Sequence, residues 1–186
     1  MVYVFLADGF EEIEALAPVD LLRRAGVNVE TVSIVENRRA VTGARQIPVM
    51  SDITLDEVDY DKADIIVLPG GMPGTTNLAS CEKLMAKVDE FAKSGDISKR
   101  VAAICAAPAR ILGQRGLLEG KNATCYPGME GEMVGANFIK EKVVTDGNIT
   151  TSRGMGTAVD FGLELVSLLC GEDKANELRA AVVADM

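Results

Sequence analysis

The chain reads as an α/β protein whose mainly parallel sheet is covered by helices on both faces. Three observations predict this. Short unbroken apolar runs, "VYVFL" from Val2 and "DIIVL" from Asp64, lack the alternation of a half-solvated strand and suit strands buried on both sides. Longer helical patterns separate such runs, so strand and helix alternate along the chain. Glycines stand where helices should end, at Gly26, Gly95 and Gly171, because the residue after a helix often needs a left-handed backbone.

The elements follow in order. Val2–Ala7 forms the first strand. Glu11 to Ala25 forms a helix, with a kink expected at Pro18, which withholds the N–H that would bond the Glu14 carbonyl. Val27–Val35 is a second strand, and residues 40–50 suggest a hairpin around Gly43. Asp64–Leu68 is a buried strand that ends in "PGGMPG". A helix is predicted over 77–94, then a strand from Val101 and a helix from Ala107, with Pro108 in the first turn, where no N–H is needed. Asn122–Tyr126 reads as a strand, and "VVTDGNIT" as a hairpin turning at Asp146–Gly147. Helices over 155–169 and 172–184 finish the chain. With 186 residues and no repeat or linker, one domain over 1–186 is expected.

Composition removes whole classes of function. A net charge of −9 argues against a nucleic-acid surface. No apolar run approaches the ~20 residues of a membrane span, and the first strand lacks the basic start of an export signal. The four cysteines, Cys81, Cys105, Cys125 and Cys170, are widely scattered and read as reduced thiols of a cytoplasmic protein. The absence of histidine rules out a Cys-His or Ser-His-Asp constellation within the chain. It also removes histidine zinc sites, and no CxxC pair replaces them. No metal or other cofactor is expected.

In a parallel sheet the functional crevice lies beyond the carboxyl ends of the strands. Three loops should gather there: Asp8–Glu14, Gly70–Gly74 and Cys105–Pro108. Cys105, in "VAAICAAPARIL", has two open readings. Free cysteine is commonly core, but a strand-to-helix turn is where nucleophiles sit. A helix N-terminus and a hydrogen bond from Glu14 would favour the thiolate, so Cys105 is expected to titrate below ~6.5. Glu11 and Glu12 are accounted for by the helix dipole. Glu14 is either a surface or capping acid, or it points inward, since Ala17, Pro18, Leu21 and Ala25 on its face are apolar; burial would then hold it protonated near neutrality. "LPGGMPG" is either a tight turn or a loop whose Gly71 N–H faces an oxyanion. Arg45 and Arg153 are candidates to attract a small anion. Cys170 reads as core, while Cys81 and Cys125 have no distinguishing context.

Four segments, "LADGFEEIEALAPVDLLRRAG", "IVLPGG", "AAICAAP" and "TSRGMGT", stand in this order across essentially the whole chain. They resemble the ThiJ/PfpI superfamily, in particular the branch of the human parkinsonism-associated protein and bacterial YajL. The resemblance implies a flavodoxin-like three-layer sandwich that forms a homodimer. It also implies a nucleophile-elbow cysteine at Cys105, a protonated glutamate at Glu14, and oxyanion donors at the Gly71 and Ala106 N–H groups. Arg45 matches the arginine near the cysteine and Arg24 the dimer-face arginine. With Tyr126 and Arg153 these are the expected substrate or anion contacts.

Two positions depart from relatives: Ala106 stands where the protease-like branch has histidine, and Tyr126 where human-like members have one. Peptide hydrolysis is therefore disfavoured. The expected function is that of a cysteine-dependent stress-response protein of glyoxalase or deglycase type, its partner a small reactive carbonyl. The alternative is a redox sensor or chaperone in which Cys105 is oxidised to sulfinic acid. The long apolar face of the Glu14 helix, including Val19 and Leu22, is expected to bury partly against a second subunit.

Overall fold

The structure, a computed structural model, describes residues 1–184. Its seven-stranded sheet contains β1 (Val2–Leu6), β2 (Val29–Ser33), β5 (Ile53–Thr54), β6 (Ile65–Leu68), β7 (Arg100–Ile104), β10 (Val143–Asp146) and β11 (Ile149–Ser152). The order is β10-β11-β7-β6-β1-β2-β5, and every pairing is parallel except β10 with β11. The expected α/β class holds. Strand order reverses between β1 and β6, and a crevice opens at such a switch point.

Because side chains alternate along a strand, the continuous apolar runs feed two cores. Val2, Val4 and Leu6 of β1 join Ile65, Val67 and Ile104 beneath α1 (Glu12–Arg24) and α4 (Ala158–Cys170). Tyr3 and Phe5 join Ile66, Leu68 and Ala103 on the opposite face, under α3 (Glu82–Ser94). The remaining elements are the hairpin β3 (Ala40–Thr42) with β4 (Pro48–Met50), α2 (Gly74–Ala79), the small parallel pair β8 (Asn122–Ala123) and β9 (Asn137–Phe138), and α5 (Glu172–Ala181). Among the described residues no helix is long and apolar enough to cross a membrane.

The hairpins at Gly43 and at Asp146–Gly147 form as expected. Other expectations need correction. The helix predicted over 77–94 is two helices, broken where Ser80 bonds back to the Thr76 carbonyl (2.9 Å) and Cys81 turns extended. The stretch after Cys105 is a six-residue π-helix, Pro108–Gly113, rather than an α-helix. Asn122–Tyr126 is a strand only at its first two residues. Beyond Ala123, Thr124 N–H bonds the Thr151 hydroxyl (2.9 Å) and Tyr126 N–H the Cys105 carbonyl (2.9 Å), so the chain crosses the strand ends instead of joining the sheet. β5, a two-residue edge strand, lay below the length at which alternation is readable.

Cys170 is exposed, at the last turn of α4, not core. Val19 and Leu22 are buried within their own chain. The packing of α1 against α4 and the sheet therefore accounts for their apolarity without a second subunit.

Candidate active site

Backbone bonds tie the first two loops together at the carboxyl ends of β1 and β6, beside the Cys105 turn that follows β7. Glu11 N–H donates to the Gly70 carbonyl (2.9 Å) and Gly74 N–H to the Gly9 carbonyl (3.1 Å). The cleft they enclose, about 490 Å³, is lined by Glu11, Glu14, Ala44, Arg45, Gly71, Met72, Cys105, Ala106, Tyr126, Met129 and Met155.

Cys105 directly follows β7 and has φ of 66°, a left-handed conformation rare for a residue with a side chain. Such strain persists only where the surroundings enforce it, and it concentrates at functional sites. Here it lifts the thiol out of the strand line into the cleft, partly exposed. The backbone N–H groups of Ala106 and Gly71 both point at the sulfur. Of the two readings of Cys105, the structure favours the elbow.

Glu14 approaches from α1. The Glu11 side chain caps that helix by accepting the Glu14 N–H (2.8 Å), which fixes the first turn. Glu14 itself is 1% exposed, so it points inward. Its carboxyl accepts the Gly70 N–H (3.0 Å) and is hydrogen-bonded to Cys105. Gly70 has no alternative here: a Cβ would lie 2.5 Å from Glu14 Oε2 and 2.6 Å from Cys105 Cβ. "PGG" is therefore a requirement for close approach as well as a turn.

The electrostatics correct one expectation. Burial, then the adjacent Glu14, push the Cys105 thiol up to about 12, against the lowering effect of the Ala106 and Gly71 N–H groups. A titration below ~6.5 needed a helix dipole strong enough to win; the six-residue π-turn that follows is short, and a second acid sits in contact. Glu14 is likewise pushed up, to about 7, mainly by burial, with the Cys105, Gly70 and Met155 bonds opposing. Two acids this close titrate as one unit. The pair releases its first proton near pH 7, chiefly from Glu14, and the thiol keeps its own far above neutrality, so the sulfur becomes nucleophilic by passing its proton across to the Glu14 carboxylate.

Among the charged residues that line the cleft, Arg45 is the single cation. Tyr126 lines it too, half exposed. Arg153 lies outside the lining, where its charge opposes the burial that pushes the Cys125 thiol up and adds to the backbone hydrogen bonds that hold Glu130 down. Arg24 is not brought to this cleft. It pairs with Asp20 (2.7 Å) on the exposed side of α1, ten residues, or ~15 Å of helix, from Glu14. Among the described residues no cluster of three or more potential metal ligands forms.

Sequence reasoning missed Glu12, which is 3% exposed and accepts the Arg45 N–H at 2.7 Å. Charge at a helix start is so common that nothing in the pattern distinguished it.

Known proteins resemble this chain in sequence and fold. The profile of the DJ-1/PfpI family matches residues 1–168. Protein DJ-1 homolog A of Arabidopsis thaliana is 41% identical over 182 residues, 98% of this chain but 45% of its own, so the chain spans under half the length of that relative. A Caenorhabditis elegans protein named glutathione-independent glyoxalase DJR-1.2 is 34% identical over 90% of this chain and 87% of its own. The crystal structure of a cysteine-to-alanine mutant of a DJ-1 superfamily protein from Salmonella typhimurium superposes with a TM-score of 0.91 at 36% identity, over 98% of this chain and 97% of that one. On these likenesses the chain belongs to the DJ-1 branch of the DJ-1/PfpI family.

Proposed function

We propose that this protein converts small 2-oxoaldehydes to 2-hydroxy acids without glutathione. One observation carries the reading: a half-buried thiol in contact with a neutralisable carboxyl, beneath two N–H groups that converge on the sulfur. In the singly ionised pair the Glu14 carboxylate takes the thiol proton as the Cys105 sulfur adds to the aldehyde carbon of a substrate such as methylglyoxal. The carbonyl π electrons move to oxygen, held by the Gly71 and Ala106 N–H groups. Glu14 donates its proton to that oxygen, giving a hemithioacetal. The resulting carboxylate takes the proton from the former aldehyde carbon, and the enediol collapses as carbon 2 is protonated, leaving a thioester. Water hydrolyses the thioester to lactate and frees Cys105. Water is the only co-reactant, and no oxidant is consumed.

The name of the Caenorhabditis elegans relative supports this reading. The test is lactate release from methylglyoxal with glutathione absent. Wild type should turn over, Cys105→Ser should not, and Glu14→Gln should lose most of the rate. No lactate from folded wild-type protein overturns the reading.

A second reading has its own support. The donors that would hold an oxyanion would also hold the oxygens of a sulfinate, formed from thiolate and two peroxide molecules with release of two waters. Peptide mass spectrometry after graded peroxide should then show two oxygens gained at Cys105 before any gain at Cys81, Cys125 or Cys170.

A further inference from the structure

The buried acid Glu12 has no role in the chemistry proposed above. Its Oε1 accepts the Arg45 N–H at 2.7 Å, while Oε2 is buried without a hydrogen-bond partner among the described residues. A half-satisfied buried carboxylate opposes folding and calls for an explanation. The hairpin loop supplies one. Ala44 N–H donates to the Phe10 carbonyl (2.7 Å), so the loop is pinned to the start of α1 at two adjacent residues. Gly43 lies directly on the Glu12 side chain: a Cβ there would come within 2.2 Å of Oε1 and 2.3 Å of Cδ. Gly43 is not in the left-handed region, so what forbids a side chain at this position is Glu12 itself. Two residues of this loop, Ala44 and Arg45, line the cleft.

We propose that Glu12 is a positioning residue: seated against Gly43, it holds the Arg45 backbone so that the Arg45 side chain lines the cleft that contains Cys105 and makes the cleft selective for carbonyl compounds that carry an anionic group. The first turn of α1 then serves the site twice. Glu14 reaches the sulfur, and Glu12 sets the loop that carries the cleft's cation. This rests on Cys105 being the reactive thiol but not on any carbonyl turnover.

The test therefore reads the thiol alone. Cys105 is alkylated with anionic iodoacetate and with neutral iodoacetamide, and the ratio of the two rates is followed by peptide mass spectrometry, with folding checked by thermal melting. Loss of Arg45 in Arg45→Gln should lower the ratio about threefold, the effect of one partly screened charge over several ångströms. Glu12→Ala should lower it as much although Arg45 remains, and the double variant should fall no further. A purely electrostatic role for Glu12 predicts the opposite sign, since removing a negative charge favours iodoacetate. Glu12→Gln keeps the oxygen that accepts the Arg45 N–H and should hold the wild-type ratio or exceed it. Gly43→Ala should mimic Glu12→Ala in the wild-type background and add nothing to Glu12→Ala. A ratio unchanged or raised in folded Glu12→Ala, or losses that multiply in the double variant, would overturn the proposal. Absence of lactate in the turnover assay would leave this experiment intact.

Discussion

The two ends of the central sheet treat buried polar groups in opposite ways. At the amino ends of β6, β7 and β11 two donor side chains are spent on the chain's own carbonyls. The buried Asn148 amide donates to the carbonyls of Phe91 (2.7 Å) and Lys99 (3.1 Å). The Lys99 ammonium closes over the carbonyls of Asp61 (3.1 Å) and Ala63 (2.8 Å). The partners lie on the end of α3 and in the segments that lead into β6 and β7. At the carboxyl ends, a thiol sits on a left-handed backbone, a buried carboxyl is pushed up to about 7, and two N–H groups converge on sulfur. Groups saturated within the chain hold the fold together; groups held strained and with capacity left over are where chemistry is available.

The contrast can be broken most severely at Cys105. Cys105→Ser should reduce turnover of the proposed reaction by ~1000-fold or more, because a serine hydroxyl, far less acidic than a thiol, is too poor a nucleophile for the Glu14 carboxylate to activate. The melting temperature should move little.

Glu14→Gln sharpens the contrast by its dependence on pH. The folded-state value near 7 lies above the ordinary 4.5, so the native state binds this proton more tightly than the unfolded chain does. Below pH 4.5 both states are protonated and the acid exacts no penalty. Stability falls as pH rises from 4.5 to 7 and stays lower above that range. Relative to wild type, Glu14→Gln should gain stability across this window, reaching about 3 kcal/mol at pH 8, while losing activity. Denaturant unfolding at pH 4, 6 and 8 checks it, and a difference independent of pH would contradict the buried, titrating carboxyl.

At the amino ends the effects reverse. Asn148→Ala takes the donor from the Lys99 carbonyl, while the Ser94 hydroxyl (2.7 Å) still serves Phe91, and should destabilise the fold by about 1–3 kcal/mol, with Cys105 reactivity in the folded protein unchanged. Smallest of all, Cys170→Ser on the exposed last turn of α4 should shift stability by less than ~0.5 kcal/mol.

What was legible in the sequence follows the same division. Apolar runs report burial directly, so β1, β6 and β7 could be read, and strand order then led to the convergence of Glu14, Gly71 and Cys105. The inward aim of Glu14 was one of two readings that the pattern left open: helix periodicity places Ala17, Pro18 and Leu21 on its face, but a capping acid at a helix start looks the same. Features decided by tertiary contact were not readable. Glu12 carries the same helix-start signal whether it is solvated or buried beneath a hairpin. Cys170 sits in the apolar string "LVSLLC", whose final residue happens to face outward. The break at Ser80–Cys81 is one hydroxyl bond and one extended residue. The direction of the Cys105 shift depends on burial and on a neighbouring acid ninety-one positions away in the chain, which no local pattern records.

The shared proton is tested most directly by the rate of Cys105 alkylation with neutral iodoacetamide, followed from pH 4 to 11 in wild type and in Glu14→Gln. Wild type should gain reactivity in a step near pH 7, as the pair gives up its first proton. That step should vanish in Glu14→Gln, whose thiol should gain reactivity only where it ionises by itself, above the ~8.5 of a free cysteine because it remains buried. Superimposable profiles, with or without a step at 7, would show that Glu14 and Cys105 do not share a proton.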